Sequence, residues 1–175
     1  MVQIRKAKFQ NVENLLNLAI KIFKETFESQ NNPDDFKKYL DEAFNLTRFK
    51  EEFNEAGSQF FEVVEDEVLI GYARIRENKE ADLFLGKSHV ELQRIYIDVP
   101  WQGKGIASRL LKDCEDHAQN SGKEWIWLGV WEHNPKAQHF YKKHGYEKFS
   151  EHKFMVGNDE QTDWLMRKRL NPNRQ

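Results

Sequence analysis

A single cysteine, Cys114, occurs in the 175 residues, so no internal disulfide can form and a disulfide-framed secreted scaffold is excluded. Long apolar runs are missing as well. The longest, Trp125 to Trp131, has seven residues including Gly129, far short of the ~20 that span a bilayer. No apolar stretch follows Met1–Lys6, so no secretory signal is expected and the expected compartment is a reducing cytoplasm. Only four prolines and nine glycines occur; they form no linker, repeat or low-complexity tract, so one domain over residues 1–170 with a tail at 171–175 is expected. An excess of one charge is lacking too. The formal net charge is −2, which excludes a generally basic nucleic-acid binder. The histidines offer no metal site: His133, His139 and His144 do not share a helical face, and Cys114 continues the apolar stripe of Leu110, Leu111 and Ala118. No G-x-S-x-G elbow, Walker A loop or complete dinucleotide fingerprint occurs, Ser108 standing where the third glycine of the last would be.

What is present supports a packed core. Leu, Ile, Val and Phe total 45 residues and aromatics make up 13%, above the level at which chains stay disordered. The charge is unevenly spread: residues 1–24 carry +4, residues 25–67 carry −9, residues 68–100 balance and residues 101–175 carry +3. That pattern reads either as solvated helix faces or as an acidic face for a cation and a basic face for an anion.

Periodicity gives a strand over Val2–Lys6, then a helix capped by Asn11 with Val12, Leu15, Leu16, Ala19, Ile22 and Phe23 on one stripe. Pro33 opens a second helix, and a short segment around Phe49 and Phe53 closes at Gly57. Strands are expected over Phe60–Val64, Val68–Arg76 and Val90–Ile97, with an exposed loop from Lys79 to Ser88. A helix from Gly105 to Asn120, the strand Trp125–Trp131, a helix from Asn134-Pro135 to Gly145 and a hairpin of Tyr146–Val156 with Thr162–Leu170 complete the chain. The order is βααβββαβαββ, an α/β (α+β) arrangement with a mixed central sheet of about seven strands and a right-handed parallel βαβ unit in its middle.

Between a strand and a helix lies Trp101-Gln102-Gly103-Lys104-Gly105-Ile106-Ala107-Ser108. Two glycines there let successive N–H groups turn one way, and the new helix adds unpaired amides and the positive end of its dipole, a combination suited to phosphate. Q-x-x-G-x-A after Arg94-Ile95-Tyr96-Ile97 resembles the pyrophosphate loop of the GNAT superfamily, the acetyl-CoA-dependent N-acetyltransferases. The block Asn134-Pro135-Lys136-Ala137-Gln138-His139-Phe140-Tyr141-Lys142-Lys143-His144-Gly145-Tyr146 resembles that family's N-x-x-A-x-x-F-Y-x-x-x-G-[FY] pattern. Ser58–Phe61, Ile126–Glu132, Phe140–Lys143 and Asp159–Asp163 look further like the PaiA-type bacterial spermidine/spermine acetyltransferases.

The resemblance implies the GNAT fold, acetyl-CoA as cosubstrate with no metal, and direct transfer to a primary amine. It implies that the backbone of Ile95, Tyr96 and Ile97 pairs with the pantetheine arm, and that Gln102, Gly103, Lys104, Gly105, Ile106, Ala107 and Ser108 hold the pyrophosphate. Asn134, Ala137 and Phe140 would flank the arm, and Lys143 or Lys142 would reach an outer phosphate. Tyr141 stands where the family has a general acid for the departing thiolate; a phenol is protonated at neutral pH and can donate. Glu91 is the candidate base, working through a water, and the two-residue period puts it on one face with Gln93, Ile95 and Ile97. Each of these residues also has an ordinary structural reading as core, helix cap or solvated charge. The acceptor implied is a small-molecule amine such as spermidine or spermine, with the −9 segment (Glu25, Glu28, Asp34, Asp35, Asp41, Glu42) as its wall. An aminoglycoside or a protein amine fits the same argument, a non-catalytic acetyl-CoA-binding regulatory module is the alternative class, and family members often form homodimers.

Overall fold

Three helices begin on asparagine. In the computed structural model, which describes residues 1–86 and 88–170 and omits the side chain of Phe154, Asn32 accepts from the amides of Asp34 and Asp35 to start α2 (Pro33–Ala43), Asn45 accepts from Arg48 to start α3 (Leu46–Asn54), and Asn134 accepts from Ala137 to start α6 (Pro135–Lys143). Each satisfies an amide that the first helical turn leaves unpaired. The tail expected at 171–175 lies outside the described residues. Asn11 does not cap α1 (Val12–Phe27) as the sequence suggests. Its amide instead donates to Glu62 at 2.8 Å, beside Arg5 at 2.7 Å. Glu62 is 1% exposed, and a buried carboxylate demands donors more strongly than the roughly 1 kcal/mol a cap supplies.

Seven strands form one sheet: β1 (Val2–Lys6), β2 (Gln59–Glu65), β3 (Val68–Arg76), β4 (His89–Ile97), β5 (Trp125–Trp131), β6 (Glu147–Val156) and β7 (Asp159–Arg169), in spatial order β1-β2-β3-β4-β5-β7-β6. Only β4 and β5 run parallel, joined through α5 (Ile106–Asn120), as the βαβ reading requires. Helix α3 forms over the segment around Phe49 and Phe53. The expected exposed loop at 79–88 instead contains a 3₁₀ turn (Lys79–Ala81) and a short helix, α4 (Asp82–Leu85). Ala81 and Leu85 are buried against Trp127 and Leu165; a single turn, Asp82–Leu85, is too short for a helical period to show in the sequence.

The sheet separates two cores. One joins α5 to Ile70, Ala73, Ile75, Val90, Leu92, Ile126 and Leu128, with Cys114 fully buried among them. The other packs Leu15, Ile22, Phe36, Phe44 and Phe49 of α1–α3 against Phe60 and Tyr72. A bulge in β4 decides which side chains face which core. Arg74 pairs with Arg94 but Ile75 with Leu92, which leaves Gln93 as an extra residue and shifts the alternation by one. Val90 and Leu92, then Ile95 and Ile97, face α5. Glu91 therefore lies on the opposite face from Ile95 and Ile97, contrary to the two-residue period.

Candidate active site

Strands β4 and β5 pair only from His89–Trp125 to Glu91–Trp127. Beyond that point β4 stays with β3 as far as Ile97, and β5 stays with β7 as far as Trp131. The facing edges part into a notch. The edge of β4 from Leu92 to Ile97, including Ile95, Tyr96 and Ile97, has no strand partner on that side among the described residues. Backbone groups left this way demand a partner.

At the end of β4 the chain makes a 3₁₀ turn over Val99–Trp101 and enters the glycine loop. Gln102 fastens the loop from both sides: its side-chain amide donates to the Ile97 carbonyl at 3.0 Å, and its oxygen accepts from Lys136 of α6 at 2.9 Å. Lys104 lies over the Trp101 ring at 4.4 Å. Gly103 and Gly105 both have φ of +76°, and a Cβ on either would meet nothing within 4 Å. Glycine is needed there for conformation, and the space above the loop is open. Ile106 is buried and anchors the first turn of α5, while Arg109 makes the first helical bond, to Gly105. The amides of Ile106, Ala107 and Ser108 are those a helix start leaves unpaired.

Helix α6 lines the other side. Asn134 accepts from the Ala137 amide at 3.1 Å. Ala137 and Phe140 pack against the α5-side core, and Tyr141 is buried with its ring edge-on to Phe140 and Tyr146. Burial first, then the nearby Tyr96, pushes the Tyr141 phenol up and keeps it protonated. Lys142 lies over the Trp164 ring at 5.3 Å, while Lys143 is exposed. Glu91 is buried and accepts from Arg76 at 2.5 Å and Asn78 at 2.8 Å.

Besides Glu91, the face of the sheet opposite α5 carries aromatic residues and the carboxylate of Asp163. Tyr72 and Tyr96 are cross-strand partners with ring centroids 5.8 Å apart. The Tyr72 hydroxyl and the Trp131 indole N–H are buried without a hydrogen-bond partner among the described residues, each a group whose burial unpaired costs about 1–3 kcal/mol. Asp163 of β7 pairs in register with Trp131 and reaches over Gly129, where a Cβ would sit 3.2 Å from its Oδ2. His152 lies 3.7 Å from that oxygen and bonds Glu80 through its other nitrogen. Asp163, then Glu80, raises the His152 pKa to about 9, so its ring is an imidazolium at neutral pH.

Sequence reasoning brought the glycine loop, α6 and β4 together as the structure does. It did not find Asp163, whose placement depends on β7 pairing with β5; the only signal was its presence in the segment Asp159–Asp163. It also placed the acidic segment as the acceptor's wall. Glu25, Glu28, Asp34, Asp41 and Glu42 are exposed, while Phe23, Phe36, Leu40 and Phe44 of the same helices turn inward. Amphipathic helices bury their apolar stripe and leave carboxylates to water.

Notch, glycine loop and flanking helix form one concave region with unpaired backbone groups on the β4 edge and at the start of α5. The chain belongs to the acetyltransferase (GNAT) family, whose model matches residues 16–146. It is 32% identical over 173 residues to an uncharacterised N-acetyltransferase in the pepI 3′ region of Lactobacillus delbrueckii subsp. lactis, covering 97% of this chain and 98% of that one. It is 26% identical over 138 residues to an uncharacterised N-acetyltransferase of Mycobacterium tuberculosis, 79% of this chain and 84% of that one. Among solved structures it superposes on the PaiA N-acetyltransferase of Thermoplasma acidophilum in complex with coenzyme A, with a TM-score of 0.77, 20% identity and coverage of 97% and 99%. A GNAT-family acetyltransferase of Staphylococcus aureus MU50 gives a TM-score of 0.73 at 16% identity, with coverage of 98% and 100%. The protein is an acetyltransferase, of a family that uses acetyl-CoA and acts on amines. Among the described residues no helix is long and apolar enough to cross a membrane.

Proposed function

We propose that the chain, as one domain over residues 1–170, moves an acetyl group from acetyl-CoA to a primary amine of a cationic small molecule, of which a polyamine such as spermidine or spermine is the type. The carrying observation is the notch between β4 and β5, which ends on a loop whose two glycines border open space. The free edge of Ile95, Tyr96 and Ile97 pairs with the pantetheine arm. The amides from Gln102 to Ser108 receive the pyrophosphate at the helix N-terminus, with Lys104 and Lys143 adding positive charge. Asn134, Ala137 and Phe140 form the far wall of the arm's channel.

In the reaction the amine nitrogen forms a bond to the thioester carbon, and the carbon–sulfur bond then breaks. Tyr141, held protonated by its burial, donates its proton to the departing sulfur and is reprotonated from solvent. The acceptor's ammonium first loses one proton through a water, and the second proton that the nitrogen sheds as it becomes an amide passes to solvent. The first goes to Glu91, which the Gln93 bulge turns to the side opposite α5. That side carries Tyr96, Trp131 and Asp163 and is where the acceptor enters.

A thiol-release assay with acetyl-CoA against polyamines, monoamines, aminoglycosides and basic peptides tests this reading. Turnover greatest with polyamines is the expected result. Tight acetyl-CoA binding with no transfer to any amine makes the protein a sensor instead.

A further inference from the structure

We propose that Asp163 is the specificity residue of the acceptor site: it receives the non-reacting ammonium of a diamine or polyamine while the other nitrogen attacks. This rests on the amine-acceptor reading above.

Two carboxylates, Glu91 and Asp163, lie on the sheet face turned away from α5. Glu91 stands at the apex of the notch, paired across to Trp127. Two hydrogen-bond donors, Arg76 and Asn78, already occupy it, so it has little attraction left for a second cation. Asp163 differs. Its carboxylate is 15% exposed, and its nearest cationic partner among the described residues is His152, at 3.7 Å. That is longer than a hydrogen bond, so the carboxylate keeps room for a closer donor. His152 is itself shared with Glu80, and the three groups sum to −1 with the imidazole protonated. The half-buried Asp163 carboxylate thus keeps unmatched negative charge for a cation.

The position suits the second nitrogen of a substrate. The Asp163 carboxylate reaches over Gly129, two residues beyond Trp127 along β5, about 7 Å up that strand from the apex and about 5 Å across from β4. The reach of a short alkyl diamine is of that order. Gly129 is the residue that makes room, because any side chain there would press on the carboxylate. The unpartnered Tyr72 hydroxyl lies on the same face, and its oxygen can accept from an ammonium.

The test compares putrescine with butylamine, which differ in the second ammonium, using acetyl-CoA and thiol release. Wild-type protein is expected to favour putrescine in kcat/KM by about tenfold or more, the worth of one well-placed ion pair. Asp163→Asn is expected to bring the ratio close to one through the putrescine KM. Asp163→Glu should restore part of it. Gly129→Ala, which displaces the carboxylate without removing its charge, should also lower the ratio and serves if the first variant does not fold. A wild-type preference that survives in Asp163→Asn overturns the assignment while leaving the polyamine reading intact. No preference in the wild type overturns both, and amine acetylation itself still stands.

Discussion

At the scale of single residues, burial keeps the Tyr141 phenol protonated and neighbouring carboxylates keep the His152 imidazole protonated. Tyr141→Phe removes one oxygen from a packed ring without opening a cavity. Turnover should fall by 10²-fold or more, the usual range for a lost general acid, while acetyl-CoA affinity measured by calorimetry changes little; unchanged turnover reduces Tyr141 to a packing residue. His152 is shifted upward too, but by charge and not by burial. Its imidazole holds a proton to about 9 because of Asp163 and Glu80, against 6.5 ordinarily. The folded value is the higher one, so the contact's contribution to stability is complete below pH 6.5 and fades as pH rises through 9. Side-chain NMR titration should place the midpoint near 9, and Asp163→Asn should move it down toward 6.5. The glycines and Tyr141 were legible in sequence because local spacing carries their meaning. The face of Glu91 was not: a bulge is set by the mismatch of two strands, and one strand's alternation cannot reveal it.

At the scale of elements, α3 is fixed to the cofactor strand by charge. Arg94 of β4 donates to both oxygens of Glu52, at 2.5 and 3.1 Å, with its guanidinium over the rings of Phe44 and Phe49. Burial pushes Glu52 up, but Arg94, Arg74 and Arg48 outweigh it and hold the carboxyl below its ordinary value. Breaking a buried pair from one side leaves the other charge stranded, which costs about 3–5 kcal/mol. Glu52→Gln should therefore lower unfolding free energy in urea by roughly that amount, with little change in slope. The sequence shows Arg94 within a motif, but its partner is 42 positions away, beyond any periodicity. Helices α1, α2, α5 and α6 were readable because their stripes repeat over several turns; α4, with one turn, was not.

At the scale of the whole molecule, the net charge of −2 conceals an acidic N-terminal half. Its exposed carboxylates act on a cation only through solvent, and such attraction is screened beyond about 8 Å at physiological salt. Neutralising Asp34, Asp41 and Glu42 together should change the polyamine KM less than twofold in 150 mM salt, about the ionic strength of that screening length, against about tenfold for Asp163→Asn. Steady-state kinetics at two salt concentrations separate the two effects. The β6–β7 hairpin that brings Asp163 into place is also fastened to α2: the Asn158 amide donates to Asp35, and Gln161 donates to Asn31. The surroundings of Asp163 are thus assembled from chain segments more than a hundred residues apart.

The extra residue at Gln93 makes β4 a strand with two phases. Val90 and Leu92 fit the α5-side core in one phase, and Ile95 and Ile97 fit it in the other. Any substitution at 93 preserves that offset, but removal of the codon would not. Deleting Gln93 would turn Glu91 toward the α5 core and Val90 and Leu92 toward the acceptor, exchanging carboxylate and oil across the sheet. In a deep mutational library the position should therefore favour side chains that still accept from the buried Arg74 and should reject a one-residue deletion outright.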